Sequence, residues 1–162
     1  MNTDQFWNLI EKAREEDADC SEQAERLKES FATLPADEIL GFQQQLWQRL
    51  AESYRWDLWA VAYIVNGGCS DDGFEYFRGW LISQGRQYFE AAMQEPQRAA
   101  DRAEPDANEC EDILYVAAAT YKAKTGQNLP LSTFQPPKEP TGTPWDEDKL
   151  SELYPDLCER FS

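Results

Sequence analysis

Apolar residues recur every three or four positions along most of the chain, the spacing of one helix face after another. Phe6, Ile10 and Ala13, with Trp7 and Leu9 beside them, predict a first helix with Thr3 as its N-cap and Asp4 in its first turn. A polar break follows over residues 15–20. Ser21 then caps a second helix, to about Thr33, that carries Ala24, Leu27 and Phe31 on one face and charges on the other. Pro35 ends that helix and presets the next, with Asp37 and Glu38 in its first turn. The third helix shows Ile39, Phe42, Leu46, Leu50 and Tyr54 in clean succession, with Trp47 on its flank and Gln43, Gln44 and Gln45 on its polar side.

The next stretch is the densest in aromatic rings. Residues 56–65 are apolar nearly all round, which predicts a buried central helix whose Trp56, Trp59 and Tyr63 belong to the core. Asn66, Gly67 and Gly68 stop it, and Ser70 caps a fifth helix with Asp71 and Asp72 in its first turn. Phe74, Phe77 and Leu81 face inward there, with Trp80 one position round; Gly85 allows a bend, and Tyr88, Phe89 and Ala92 carry the stripe to Met93. Residues 95–108 read as a polar loop. Asn108 and Glu111 resemble a capping box opening a sixth helix that carries Ile113, Val116, Ala117, Thr120 and Tyr121 and ends at Gly126.

The pattern changes after Gly126. Prolines at 130, 136, 137, 140 and 144 predict an extended strap over residues 127–144, too apolar at Leu129, Leu131 and Phe134 for a free linker. Residues 145–162 form a short terminal helical segment interrupted at Pro155, and Leu150, Leu153, Tyr154 and Leu157 are expected to dock it on the rest. No run alternates with period two, so strands are absent or few. The expected fold is mainly α: residues 1–162 as one domain, a bundle of six to eight helices with a Pro-rich extended strap and a short C-terminal helix.

Charge narrows the function. Fifteen basic and 31 acidic residues give a net charge of −16. That field disfavours direct binding to nucleic acid or to an anionic membrane and favours a basic protein partner, or serves solubility alone. With no histidine, Ser-His-Asp and Cys-His catalysis and His-ligated zinc are removed. Cys20, Cys69, Cys110 and Cys158 are widely spread, so no zinc ribbon or thioredoxin-like pair is supported. They read as reduced, small hydrophobes of a cytoplasmic protein. No run of apolar residues is long enough to span a membrane.

Four features are candidate chemistry. The turn from Asn66 to Gly73 brings Asp71 and Asp72 near Glu75, hard oxygen ligands for a divalent cation, though a helix stop and start explains the same residues and no metal or other cofactor is expected. Arg78, between Phe77 and Trp80, would anchor a ligand's carboxylate or phosphate, or pair with an acid from residues 104–112 and hold the fold; Arg86 is the second basic candidate. Cys69 stands near a helix N-terminus, which would lower its pKa. The acidic face, with six acids to one base over residues 101–112, would dock a basic partner or is solvated surface.

The segment GGCSDDGFEYFRGWLISQGRQYFEAA, with FW near the start and LPADEILGFQQQL between, resembles domain of unknown function family 4240, from Met1 to about Ala123. The resemblance implies a bacterial helical domain with its focus on Cys69 to Arg86, and no reaction. The expectation is therefore a non-catalytic binding or interaction module with an acidic surface. The alternatives are a small-ligand or metal-dependent enzyme domain using Asp71, Asp72, Glu75 and Arg78, and an inhibitor or immunity-type protein that blocks a basic partner.

Overall fold

The computed structural model describes residues 1–16, 19–132 and 134–162. Parts of the expected polar break and of the strap, at positions 17, 18 and 133, lie outside the described residues. The fold is mainly helical, with nine α-helices and no named strand among the described residues. They are α1 (Thr3–Ala13), α2 (Cys20–Phe31), α3 (Ala36–Glu52), α4 (Trp56–Val65), α5 (Asp71–Ser83), α6 (Arg86–Gln94), α7 (Asp112–Thr125), α8 (Leu150–Leu153) and α9 (Pro155–Arg160). A 3-10 helix at Pro96–Ala100 follows α6. The count is one above the expected six to eight because Gly85 does more than bend a helix. Its φ of +101° ends α5 and starts α6.

The stripes meet in one core. Phe6, Ile10, Leu27, Phe31, Ile39, Phe42 and Leu46 close against Phe74, Phe77, Leu81, Ile113 and Ala117, all fully buried. α2 and α3 both lie along α7, so a late helix closes the bundle over two early ones. Polar side chains join this interior, Gln23 and Gln43 among them. Gln23 donates to the carbonyls of Ile10 and Ser83 at 3.3 and 2.9 Å, tying α2 to α1 and α5. Gln43, expected on a polar face, is buried, because α3 is covered on more sides than its stripe alone would require.

Three helix starts differ from expectation. Asn2, not Thr3, caps α1 and completes a capping box with Gln5. Asp19, not Ser21, caps α2 by accepting from Glu22 N–H. α7 has no side-chain cap, since Asn108 is turned inward instead.

α4 is central on one side only. Leu58, Val61, Ala62 and Val65 are buried, but Trp56, Trp59 and Tyr63 are half-buried. The chain's end covers that face: Trp145 packs edge-on against Trp56 and Tyr63 and its indole N–H donates to the Trp56 carbonyl at 2.7 Å. The strap is pinned nearby, where Thr141 exchanges backbone hydrogen bonds with Tyr54 and Trp56 at 3.0 and 2.9 Å. Phe134 stacks on Trp47, whereas Leu131 is fully exposed. Leu150 and Leu157 are buried, docking the terminal helices.

The cysteines require a correction. Cys20 and Cys110 are joined as a disulfide, with Cα atoms 5.4 Å apart, within the usual range. The bond ties the start of α2 to the turn before α7, so these two are a cross-link and not reduced hydrophobes. Cys69 and Cys158 are free and half-buried.

Candidate binding cleft

The turn after α4 is built to hold a loop. The Gly68 N–H bonds back to the Tyr63 carbonyl at 2.8 Å, and Gly67 and Gly68 have φ of +64° and +114°. Asn66 and the fully buried Asn108 then interlock. The Asn108 amide donates to Asn66 Oδ1 at 3.0 Å and to the Glu104 carbonyl, while its own Oδ1 accepts from Glu104 N–H at 2.8 Å. The Asp106 N–H adds a bond to the Val65 carbonyl at 3.0 Å. A Cβ on Gly67 would stand 2.5 Å from an Asp106 carboxylate oxygen. The positive φ angles are what favour glycine at both positions of this turn. Asn66 and Asn108 were visible as a helix stop and start, but nothing local signalled that they bond each other.

Ser70 caps α5 as expected, its hydroxyl accepting from Gly73 N–H at 3.1 Å. Asp71, Asp72 and Glu75 do not converge: among the described residues no three carboxylate or thiol groups gather to hold a metal ion. Asp71 instead accepts from the Tyr54 hydroxyl at 2.7 Å. Cys69 is the reverse of an activated thiol. Burial, with the Glu109 charge adding to it, pushes its pKa up to about 12, outweighing the helix N-terminus.

Arg78 is buried, with 7 % of its surface exposed. Nη1 donates to the Leu50 carbonyl at the end of α3 and Nε to the Phe74 carbonyl at 3.3 Å. Its guanidinium lies over the Tyr54 and Phe74 rings at 4.6 and 4.8 Å from their centres. No carboxylate from residues 104–112 or elsewhere among the described residues lies at ion-pair distance from it. Burial lowers its pKa; Glu75, Tyr54 and Asp71 oppose that in turn. The arginine thus joins α5 to α3 through carbonyls and ring faces. Arg86 stands apart from it. It pairs with Asp4 at 2.7 Å and Glu90 at 2.9 Å, fastening α6 to α1 at the surface.

These placements leave a cleft of about 510 Å³ between α3, α5 and the strap. Trp47, Leu50 and Tyr54 form one wall, Asp71, Glu75 and Arg78 the second, and Phe134, Pro136, Pro137 and Lys138 the third. Asp72, Cys69 and Arg86 do not line it. The cleft sets the carboxylates of Asp71 and Glu75 and the cationic side chains of Arg78 and Lys138 among aromatic residues. The part played by the strap was not legible, since Trp47 and Phe134 meet across 87 residues of sequence.

The family described as "Protein of unknown function (DUF4240)" matches residues 1–123. The chain belongs to this family. The match spans α1 to α6 and most of α7, and with them two walls of the cleft; the strap wall lies beyond it. No curated protein and no solved structure matches the chain. No helix among the described residues is long and apolar enough to cross a membrane.

Proposed function

We propose that this member of DUF4240 is a non-catalytic interaction module that seats a basic segment of a partner protein in the cleft between α3, α5 and the strap. One observation carries the reading: Asp71 and Glu75 line an aromatic cleft whose arginine is already committed inward to carbonyls and rings. A lysine or arginine entering there meets the Asp71 and Glu75 carboxylates, with Lys138 on the strap wall beside them, and the net charge of −16 draws basic partners toward the surface. Arg78, tied up by the Leu50 and Phe74 carbonyls, serves as a strut and not as the cation of an enzyme's substrate site.

The compartment belongs to the same proposal. A cytoplasmic setting was expected from reduced cysteines, and the Cys20–Cys110 bond favours an oxidising one.

A fluorescein-labelled tri-lysine peptide followed by anisotropy tests the cleft. The pair Asp71→Asn, Glu75→Gln should weaken binding about tenfold, from two partly exposed contacts of somewhat under 1 kcal/mol each. The pair Glu25→Gln, Glu29→Gln on α2 removes the same charge and should change binding less than about twofold. Equal loss in both pairs would mean that the peptide senses only the acidic field. Absence of peptide binding by the parent chain would reject the proposal outright.

A further inference from the structure

A second cleft, of about 450 Å³, opens where the end of α1, the break between α5 and α6, and the segment after the 3-10 helix meet. Arg14 and Arg102 both line it, with Gln84, Gln87 and Tyr88 between them and Glu11 at its edge. Neither arginine drew attention in the sequence, because they are 88 positions apart.

Arg26, Arg49, Arg55, Arg86 and Arg98 each reach a carboxylate within 4 Å. Acids outnumber bases about two to one. Arg14 and Arg102 nevertheless line one cleft, and neither forms an ion pair among the described residues. Arg78 and Arg160 also lack an ion pair among the described residues, but each of them lies against aromatic rings away from this cleft. Burial and then the charge of Arg102 hold the Arg14 guanidinium below its usual range, with Glu16 opposing weakly. Two like charges brought together in a concave, polar site are destabilising unless an anion lies between them.

The neighbours hold this arrangement in place, and Glu11 is the one carboxylate that lines the cleft beside the two arginines. Arg102 lies over the Tyr88 ring at 4.8 Å, and its Nη1 reaches the backbone and side-chain oxygens of Gln84 at 3.4 Å. The Tyr88 hydroxyl accepts from Arg102 N–H at 2.9 Å and donates its proton to the Ala99 carbonyl at 2.8 Å. Glu11 is drawn aside to accept from Arg86 N–H at 3.0 Å. Nε and Nη2 of Arg102 have no protein acceptor among the described residues.

We propose that this cleft binds a phosphate-type dianion, clamped between the guanidinium groups of Arg14 and Arg102. A planar guanidinium matches two phosphate oxygens at once, and a dianion satisfies both positive charges where a single carboxylate would satisfy one. The site is separate from the Asp71–Glu75 cleft and opposite to it in charge preference, so either can fail alone.

The experiment is calorimetric titration of the full chain with inorganic phosphate, against sodium chloride at equal ionic strength. Saturable phosphate binding is expected, reduced about tenfold or more by Arg14→Gln and by Arg102→Gln and unchanged by Arg26→Gln on α2. Arg102→Lys keeps the charge but loses the fork, and should fall between. It also serves where a glutamine variant fails to fold. Competition by phosphoserine would identify a phosphate monoester as the ligand, and its failure would identify the free ion; either supports the clamp. A phosphate response no larger than that of chloride, or one insensitive to Arg14 and Arg102, would overturn it.

Discussion

Breaking the Cys20–Cys110 bond, by reductant or by Cys20→Ser with Cys110→Ser, should destabilise the protein severely without dissolving its helices. The bond spans 90 positions. Cross-linking a loop of about that length removes chain entropy from the unfolded state worth roughly 4.5 kcal/mol at 25 °C. Cys110 is buried beside Gly79 and α7, so the freed thiols remain in a packed place. Domains commonly have only about 5–15 kcal/mol of total stability, so the loss is a large fraction. For a chain of this size it corresponds to a melting temperature lower by roughly 10–15 °C. The helices should persist, because α2 remains packed along α7 through Leu27, Phe31, Ile113 and Val116. Urea unfolding followed by circular dichroism, with and without reductant, measures the shift. Thiol titration of freshly isolated, denatured, unreduced protein should count two, Cys69 and Cys158. A count of four, or a midpoint that reductant leaves unmoved, would refute the cross-link and restore the reading of reduced cysteines.

Gly79→Ala separates local from tertiary reasoning. Helix propensity alone predicts a gain of about 1 kcal/mol in mid-helix. Here the new Cβ would sit 2.5 Å from the Cys110 carbonyl, a backbone atom held by the bond from Cys110 N–H to the Tyr76 carbonyl. A net loss of about 2–3 kcal/mol in urea unfolding is expected, and a gain would refute the close approach. Alkaline pH should also destabilise the fold. Burial pushes both the Cys69 thiol and the Tyr88 phenol up to about 12, from ordinary values of 9.0 and 10.0. The folded state favours their neutral forms, so their contribution is whole below about pH 9 and is lost as the pH rises toward about 12. Urea midpoints that stay level across that window, or alkylation of Cys69 with an ordinary thiol pKa, would contradict this.

Much of the helical architecture was legible because its causes are local. A stripe such as Ile39, Phe42, Leu46 and Leu50 needs only helical spacing to declare a buried face, and all four are buried. Ser70 as a cap, Pro35 before α3 and Gly126 after α7 act within a few residues of themselves, and each stands where expected. The acidic residues of the candidate site were likewise easy to find. Which of them face a common space was not: Asp71, Glu75 and Arg78 line one cleft, while Asp72, Cys69 and Arg86 lie outside it.

The sequence by itself determined the helical class, most of the core positions, the family and the exclusion of histidine chemistry. The tertiary structure decided what distant residues do to one another. It joined Cys20 to Cys110, turned Asn108 inward onto Asn66, set Arg78 against the Leu50 carbonyl, laid Phe134 on Trp47 and brought Arg14 and Arg102 to one cleft. The physical reason is range. Periodicity, caps and turns act over three to seven residues, where a single sequence carries the signal. Charge pairing, burial of a polar group and closure of a cleft depend on which helices become neighbours, and that follows from packing the whole chain.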